Sequence, residues 1–144
     1  MTKSNSYHKY LFPLLSRIDA ETAHERTLSA LALAQNSSIG RRLLSRIAGE
    51  IPKQEVYLLG LTFPNILGIA AGFDKDILAT PGLALLGFGH IEVGTITPVP
   101  QAGNPRPRIF RLQEDEALIN RMGFPSAGME LTTTRLRQLA RQDH

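Results

Sequence analysis

Apolar positions near the start of the chain recur at helical spacing. Tyr7, Tyr10, Leu11, Leu14, Leu15 and Ile18 fall at i, i+3, i+4, i+7, i+8 and i+11, one stripe of an amphipathic helix, with Lys9 and Ser16 off it. Pro13 is expected to kink this helix or to mark its first turn. Asp19 reads as the N-cap of a second helix, with Glu21 favourable in its first turn. That helix is expected to reach about Ala34, with His24, Leu28 and Leu31 along one side. Asn36-Ser37-Ser38 breaks it. A third short helix gathers Leu43, Leu44 and Ile47 and stops at Gly49, a natural residue just past a helix end.

After Pro52 the pattern changes. VYLL (56–59) and LTF (61–63), on either side of Gly60, read as two short strands. ILGIAA (66–71) is a continuous apolar run bounded by turn residues, as expected of a strand buried on both faces of a parallel sheet. Residues 80–87 predict a helix with Thr80 as N-cap and Pro81 at its first position. HIEVGTIT (90–97) predicts a second buried strand, 98–125 a long loop, and Ser126 the cap of a last helix reaching about Ala140. The order β-α-β-loop-α describes two consecutive βα units of a parallel α/β fold. The division this suggests is a helical segment, 1–52, ahead of an α/β segment, 53–144.

In parallel α/β folds, chemistry gathers at the C-terminal ends of the strands. The first such end is Ala70-Ala71-Gly72-Phe73-Asp74-Lys75. Small residues there let a flat ligand approach the backbone, and Lys75 adds a cation suited to an anionic substrate or a reduced cofactor. The same residues also read as a plain strand-to-helix turn carrying a solvated lysine. At the second strand end, Thr95 offers a hydroxyl, although a β-branched residue also suits a strand for its own sake. The loop 98–125 is far longer than the usual connection of about 2–6 residues and so reads as functional. It ends in Asn120-Arg121-Met122-Gly123-Phe124, where an amide offers both donor and acceptor to a carboxylate or a pyrimidine edge. His24, alone on an apolar stripe, reads first as a half-buried structural residue.

Charge and composition narrow the classes. Residues 1–55 carry eight Lys/Arg against five Asp/Glu, which is the whole net charge of +3; the remainder balances. A basic helical segment suits an anionic surface, lipid or nucleic acid, or else is simply a solvated face. The arginines of NPRPR (104–108) lack an interleaved aromatic platform, so nucleic acid is not expected. With no cysteine, disulfides, thiolate nucleophiles and iron–sulfur clusters are excluded. No His/Asp/Glu cluster has metal-ligand spacing, and neither GxGxxG nor GxxxxGK[ST] occurs. No apolar run approaches the roughly 18 residues of a membrane-spanning helix.

Ordered along the chain, AETAH (20–24), GLTFPNILGIAAGFDKD (60–76), LGFGHIEVGTITPVPQAGNPRPRIFRL (86–112) and EDEALINRMGF (114–124) resemble the quinone-dependent class 2 dihydroorotate dehydrogenases. Ile66 stands where that family usually has Pro, and Pro125 where Asn is common. The resemblance implies an FMN-binding (β/α)₈ TIM barrel that oxidises dihydroorotate to orotate in pyrimidine (UMP) synthesis, with a membrane quinone as acceptor. By position it implies FMN contacts at Ala71, Gly72, Phe73, Asp74, Lys75 and Thr95. It implies substrate contacts at Lys75 and at Asn120, Arg121, Met122, Gly123 and Phe124. It makes the N-terminal helices a peripheral anchor on the cytoplasmic face of the cell membrane, with His24 and Arg111 lining a quinone tunnel. A full barrel takes roughly 250 residues. The 144 residues are therefore expected to hold only the first two βα units, without the family's serine base, and to be inactive alone. Ser126 does not match that base. The alternative is a non-catalytic membrane-surface or partner-binding fragment.

Overall fold

The computed structural model describes residues 7–49, 51 and 54–142. The expected division at 52/53 lies outside the described residues. The first stripe forms a helical segment that changes type and stops short of Ile18: a π-helical turn, Tyr7–Leu11, runs into a single α-turn, α1 (Phe12–Leu15), with Pro13 in its first turn. Tyr10, Leu11 and Leu14 stay exposed.

Helix α2 (Ala20–Gln35) begins as its sequence dictates, with the Asp19 carboxylate accepting from Thr22 N at 2.9 Å and from Thr22 Oγ1 at 3.1 Å. Helix α3 (Ser38–Ala48) is capped by Ser37, whose Oγ accepts from Gly40 N, and ends at Gly49 with φ of 71°. The two helices meet where Gly40 faces Ala34: a Cβ on Gly40 would fall 2.2 Å from Ala34 O. Leu43, Leu44 and Ile47 do not share one environment. Leu44 enters the core, while Ile39, Leu43 and Ile47 form an exposed apolar stripe.

Strands β1 (Val56–Leu58) and β2 (Leu61–Phe63) pair antiparallel. Leu59 and Gly60 between them both hold positive φ, the requirement of a tight two-residue hairpin. Strand β3 (Gly68–Ile69) pairs parallel with β4 (His90–Ile91), and α4 (Thr80–Leu85) lies between them in sequence, giving one β-α-β unit. The ladder is much shorter than the apolar runs 66–71 and 90–97 predict. Outside the paired residues, the hydrogen bonds Gly89 N to Leu67 O and Glu92 N to Ile69 O carry the contact only one step further at each end. Thr80 does not cap α4. Its hydroxyl donates to the Asp74 carboxylate, and Ala79 holds the cap position.

The long loop contains a hairpin that periodicity missed: β5 (Ile109–Leu112) pairs antiparallel with β6 (Ala117–Asn120). Helix α5 (Met129–Gln142) begins after Ser126. The Ser126 hydroxyl instead accepts from Thr97 N and Gly128 N, tying the end of the second apolar run to the turn before α5. The chain is thus a mixed α/β structure. Its core gathers Leu28 and Leu31 of α2, Leu44 of α3 and Ala79 and Leu83 at α4, with Phe73, Phe88 and Ile91 packed against them. The Gln35 side chain fixes this assembly, donating to Leu78 O and accepting from Gly82 N, both at 2.8 Å.

Candidate active site

Beyond the end of β3, under the first turns of α2 and beside the β5–β6 hairpin, lies a cleft of about 790 Å³. That is within the usual size of small-molecule sites, ~300–1,000 Å³. Its floor is the backbone of Gly68, Ile69, Ala70, Ala71 and Gly72, continued by Phe73. Gly72 has φ of 100°, a conformation costly for any side chain, and turns the chain so that Lys75 comes back to the cleft. Gly94 and Thr95, beyond β4, form the adjoining wall.

The Lys75 ammonium is partly buried. Burial lowers its pKa below the ordinary lysine value, and the charge of Arg108 adds to this, while Glu21 and Asp76 oppose it. His24 reaches the cleft from α2 and meets the Phe73 ring edge-on, with centroids 5.1 Å apart and planes at 87°. Burial lowers the pKa of His24, and the neighbouring Lys75 lowers it further. Its imidazole is therefore held neutral at lower pH than a free histidine would be. Arg111 also lines the cleft, with its Nη1 donating to Ile18 O and so joining β5 to the chain just before α2.

Asn120, Arg121, Met122, Gly123 and Phe124 form the remaining wall. The turn depends on two consecutive positive φ angles, 71° at Gly123 and 55° at Phe124. It is stitched to residues 101–108. Asn104 N donates to Met122 O (2.9 Å), Asn104 Nδ2 to Arg121 O (2.8 Å), Gln101 Nε2 to Phe124 O (2.6 Å) and Arg121 N to Arg108 O (2.9 Å).

The cleft therefore brings together His24, Ala71, Gly72, Phe73, Lys75, Thr95, Arg111 and Asn120 through Phe124, residues distant in sequence. Asp74 is the exception. Its side chain is fully buried away from the cleft, and its carboxylate accepts from Leu78 N, Ala79 N and Thr80 Oγ1. Those bonds make it a brace of the turn into α4. Sequence reading also missed Gly94, whose lack of a side chain makes room for Lys75, and the buried pair of Glu21 and Arg108. Gly94 had a signal, being a glycine inside a β-branched strand run, which marks close approach of another group. Glu21 had none, since a first-turn acid is ordinary in an exposed helix.

Among the described residues the lining carries Lys75, Arg111 and Arg121 and no carboxylate, and its stretch from Gly68 to Phe73 consists of small and apolar residues. That combination suits a planar ring system joined to anionic groups. Among the described residues no cluster of three His, Asp or Glu could hold a metal ion, and no helix is long and apolar enough to cross a membrane.

A family model described as dihydroorotate dehydrogenase matches residues 53–144. A dihydroorotate dehydrogenase (quinone) of Roseiflexus sp. (strain RS-1) is 52% identical over 139 residues, covering 96% of this chain and 38% of the relative. One of Nocardioides sp. (strain ATCC BAA-499 / JS614) is 45% identical over 140 residues, covering 97% of this chain and 37% of the relative. Among solved structures, the crystal structure of DHODH in complex with ferulenol from Eimeria tenella superposes with a TM-score of 0.72 at 41% identity, covering 86% of this chain and 31% of that one. The chain thus spans less than two-fifths of the length of the curated relatives it matches.

Proposed function

The chain belongs to the dihydroorotate dehydrogenase family, and from that premise we propose that it supplies one wall of the flavin and substrate site of a quinone-dependent dihydroorotate dehydrogenase built as a TIM barrel. Such an enzyme oxidises dihydroorotate to orotate in pyrimidine synthesis. The observation that carries the reading is the single cleft shared by the backbone at Ala70–Gly72, the ammonium of Lys75 and the run Asn120–Phe124.

The residues fit FMN. The floor at Ala71 and Gly72 has no side chain to block a ring system lying flat, and Phe73 and Thr95 border it. When bound, FMN supplies the redox chemistry, taking a hydride equivalent from dihydroorotate and passing electrons to quinone. The chain's own part is positional and electrostatic. Lys75, whose ammonium burial makes less readily charged than a free lysine's, would lie beside the ring system and favour negative charge there. Asn120 and the turn at Arg121–Phe124 hold the dihydroorotate ring and its carboxylate. His24 and Arg111 stand at the side nearest α2, where they line the route for the quinone.

The exposed stripe Ile39, Leu43 and Ile47 on α3, flanked by Arg42 and Arg46, supports a peripheral seat on an anionic membrane surface. From such a seat an apolar quinone enters from lipid without a spanning helix. Residues 1–144 are tested by joining them to the part of the Roseiflexus relative that follows its matched segment. The purified chimera is expected to bind FMN and to reduce a soluble quinone with dihydroorotate. A chimera that folds yet binds no flavin refutes the reading.

A further inference from the structure

We propose that Glu21 and Arg108 are positioning residues that set the substrate-side turn, Asn120–Phe124, against helix α2; this rests on the functional reading above. Arg108 is 8% exposed and Glu21 4%. Arg108 Nε and Nη2 both donate to Glu21 Oε1, at 2.9 and 2.7 Å. Arg108 Nη1 donates to Ala102 O at 2.6 Å and to Asn104 O at 3.1 Å. One planar guanidinium therefore grips α2 on one side and the 102–104 loop on the other, and a lysine ammonium cannot reproduce that fork.

From this grip the backbone leads directly into the cleft wall. Arg108 O accepts from Arg121 N, and Asn104 is bonded to both Arg121 O and Met122 O. The packing leaves no slack: a Cβ on Gly123 would fall 2.7 Å from Asn104 Cγ, and one on Gly103 would fall 2.3 Å from Met122 O. On the other side, Glu21 lies three residues, nearly one helical turn, before His24 on α2. The pair thus ties the helix that carries His24 to the loop and strand that hold the turn carrying Asn120.

The chemistry of the pair favours positioning over stability. Glu21 Oε2 is buried and has no hydrogen-bond partner among the described residues. A buried ion pair with one carboxylate oxygen unsatisfied is a poor source of net stability. What it provides is direction, since both oxygen and guanidinium are fixed in place.

The test uses the chimera described above with Arg108→Lys, Glu21→Ala and Glu21→Gln. Glu21→Gln keeps an acceptor at Oε1 and is expected to retain most of the function. The other two are expected to raise the KM for dihydroorotate roughly tenfold or more, with FMN content unchanged, in line with the cost of displacing a binding group. A merely structural role would instead lower flavin content or yield while leaving KM alone. KM within twofold of the parent in both Arg108→Lys and Glu21→Ala overturns the proposal. A parent chimera without turnover refutes the functional reading instead. In that case hydrogen exchange on the 144-residue chain decides the positioning: faster exchange at the Asn104 and Arg121 amides in Arg108→Lys supports it, and unchanged exchange overturns it.

Discussion

A Cβ built on Gly94 would stand 2.8 Å from Lys75 Cγ and 3.0 Å from its Cα. The wall beyond β4 therefore presses directly on the lysine that the cleft presents. Part of the contact is with main chain, which a rotamer change cannot relieve. Gly94→Ala is expected to destabilise the chain by ~1–3 kcal/mol through overpacking. It is also expected to displace Lys75. Urea denaturation of the variant checks the first effect. Reaction of the lysine with an amine-directed reagent, located by peptide mapping, checks the second.

Asp74 makes a separable prediction. Removing its carboxylate in Asp74→Ala strands the N–H groups of Leu78 and Ala79, which are now bonded to it at 2.8 and 2.9 Å. Each stranded buried group costs about 1–3 kcal/mol. The denaturation midpoint should fall steeply, although the side chain touches nothing in the cleft. An unchanged midpoint would mean that the brace is dispensable.

His24 sets a pH dependence. Its folded-state pKa is lowered by burial and then by Lys75. Between that lowered value and the ordinary histidine value of 6.5, the unfolded chain binds more protons than the folded one. Stability is thus fully present above 6.5 and declines as pH falls through the folded-state pKa. Unfolding midpoints measured from pH 8 down to about 5 should show this decline in the parent and a flatter profile in His24→Gln.

Helix α3 predicts opposite results from its two faces. Leu44 is 6% exposed and contacts the core, so Leu44→Ala should cost about 2–5 kcal/mol. Ile39, Leu43 and Ile47 are exposed, and replacing all three by Ser should leave the midpoint within about 0.5 kcal/mol per site. The triple variant should nevertheless lose co-sedimentation with vesicles containing anionic lipid. Sedimentation equal to the parent's would remove α3 from any membrane seat.

The chain's own sequence determined its local events. Asp19 and Ser37 cap helices because a short oxygen-bearing side chain reaches the free N–H groups of the first turn, whatever lies elsewhere. Gly49 ends a helix, and Gly60 supplies one of the two positive φ angles of the β1–β2 turn, for equally local reasons. The motif runs at 70–75 and 120–124 were legible as candidate chemistry because small residues and an amide followed by glycine stand out in any context. Tertiary structure decided which of them meet. Asp74, read as part of the flavin contact, is turned inward by three donors that follow it in the chain. The β5–β6 hairpin was hidden because six of its eight residues are exposed, so no alternation of apolar and polar positions marks it. Glu21 and Arg108 are 87 residues apart, and neither residue type at that separation announces a buried pair. Local rules act through a few bonds of backbone, whereas burial and partner choice depend on which surfaces the whole chain brings together.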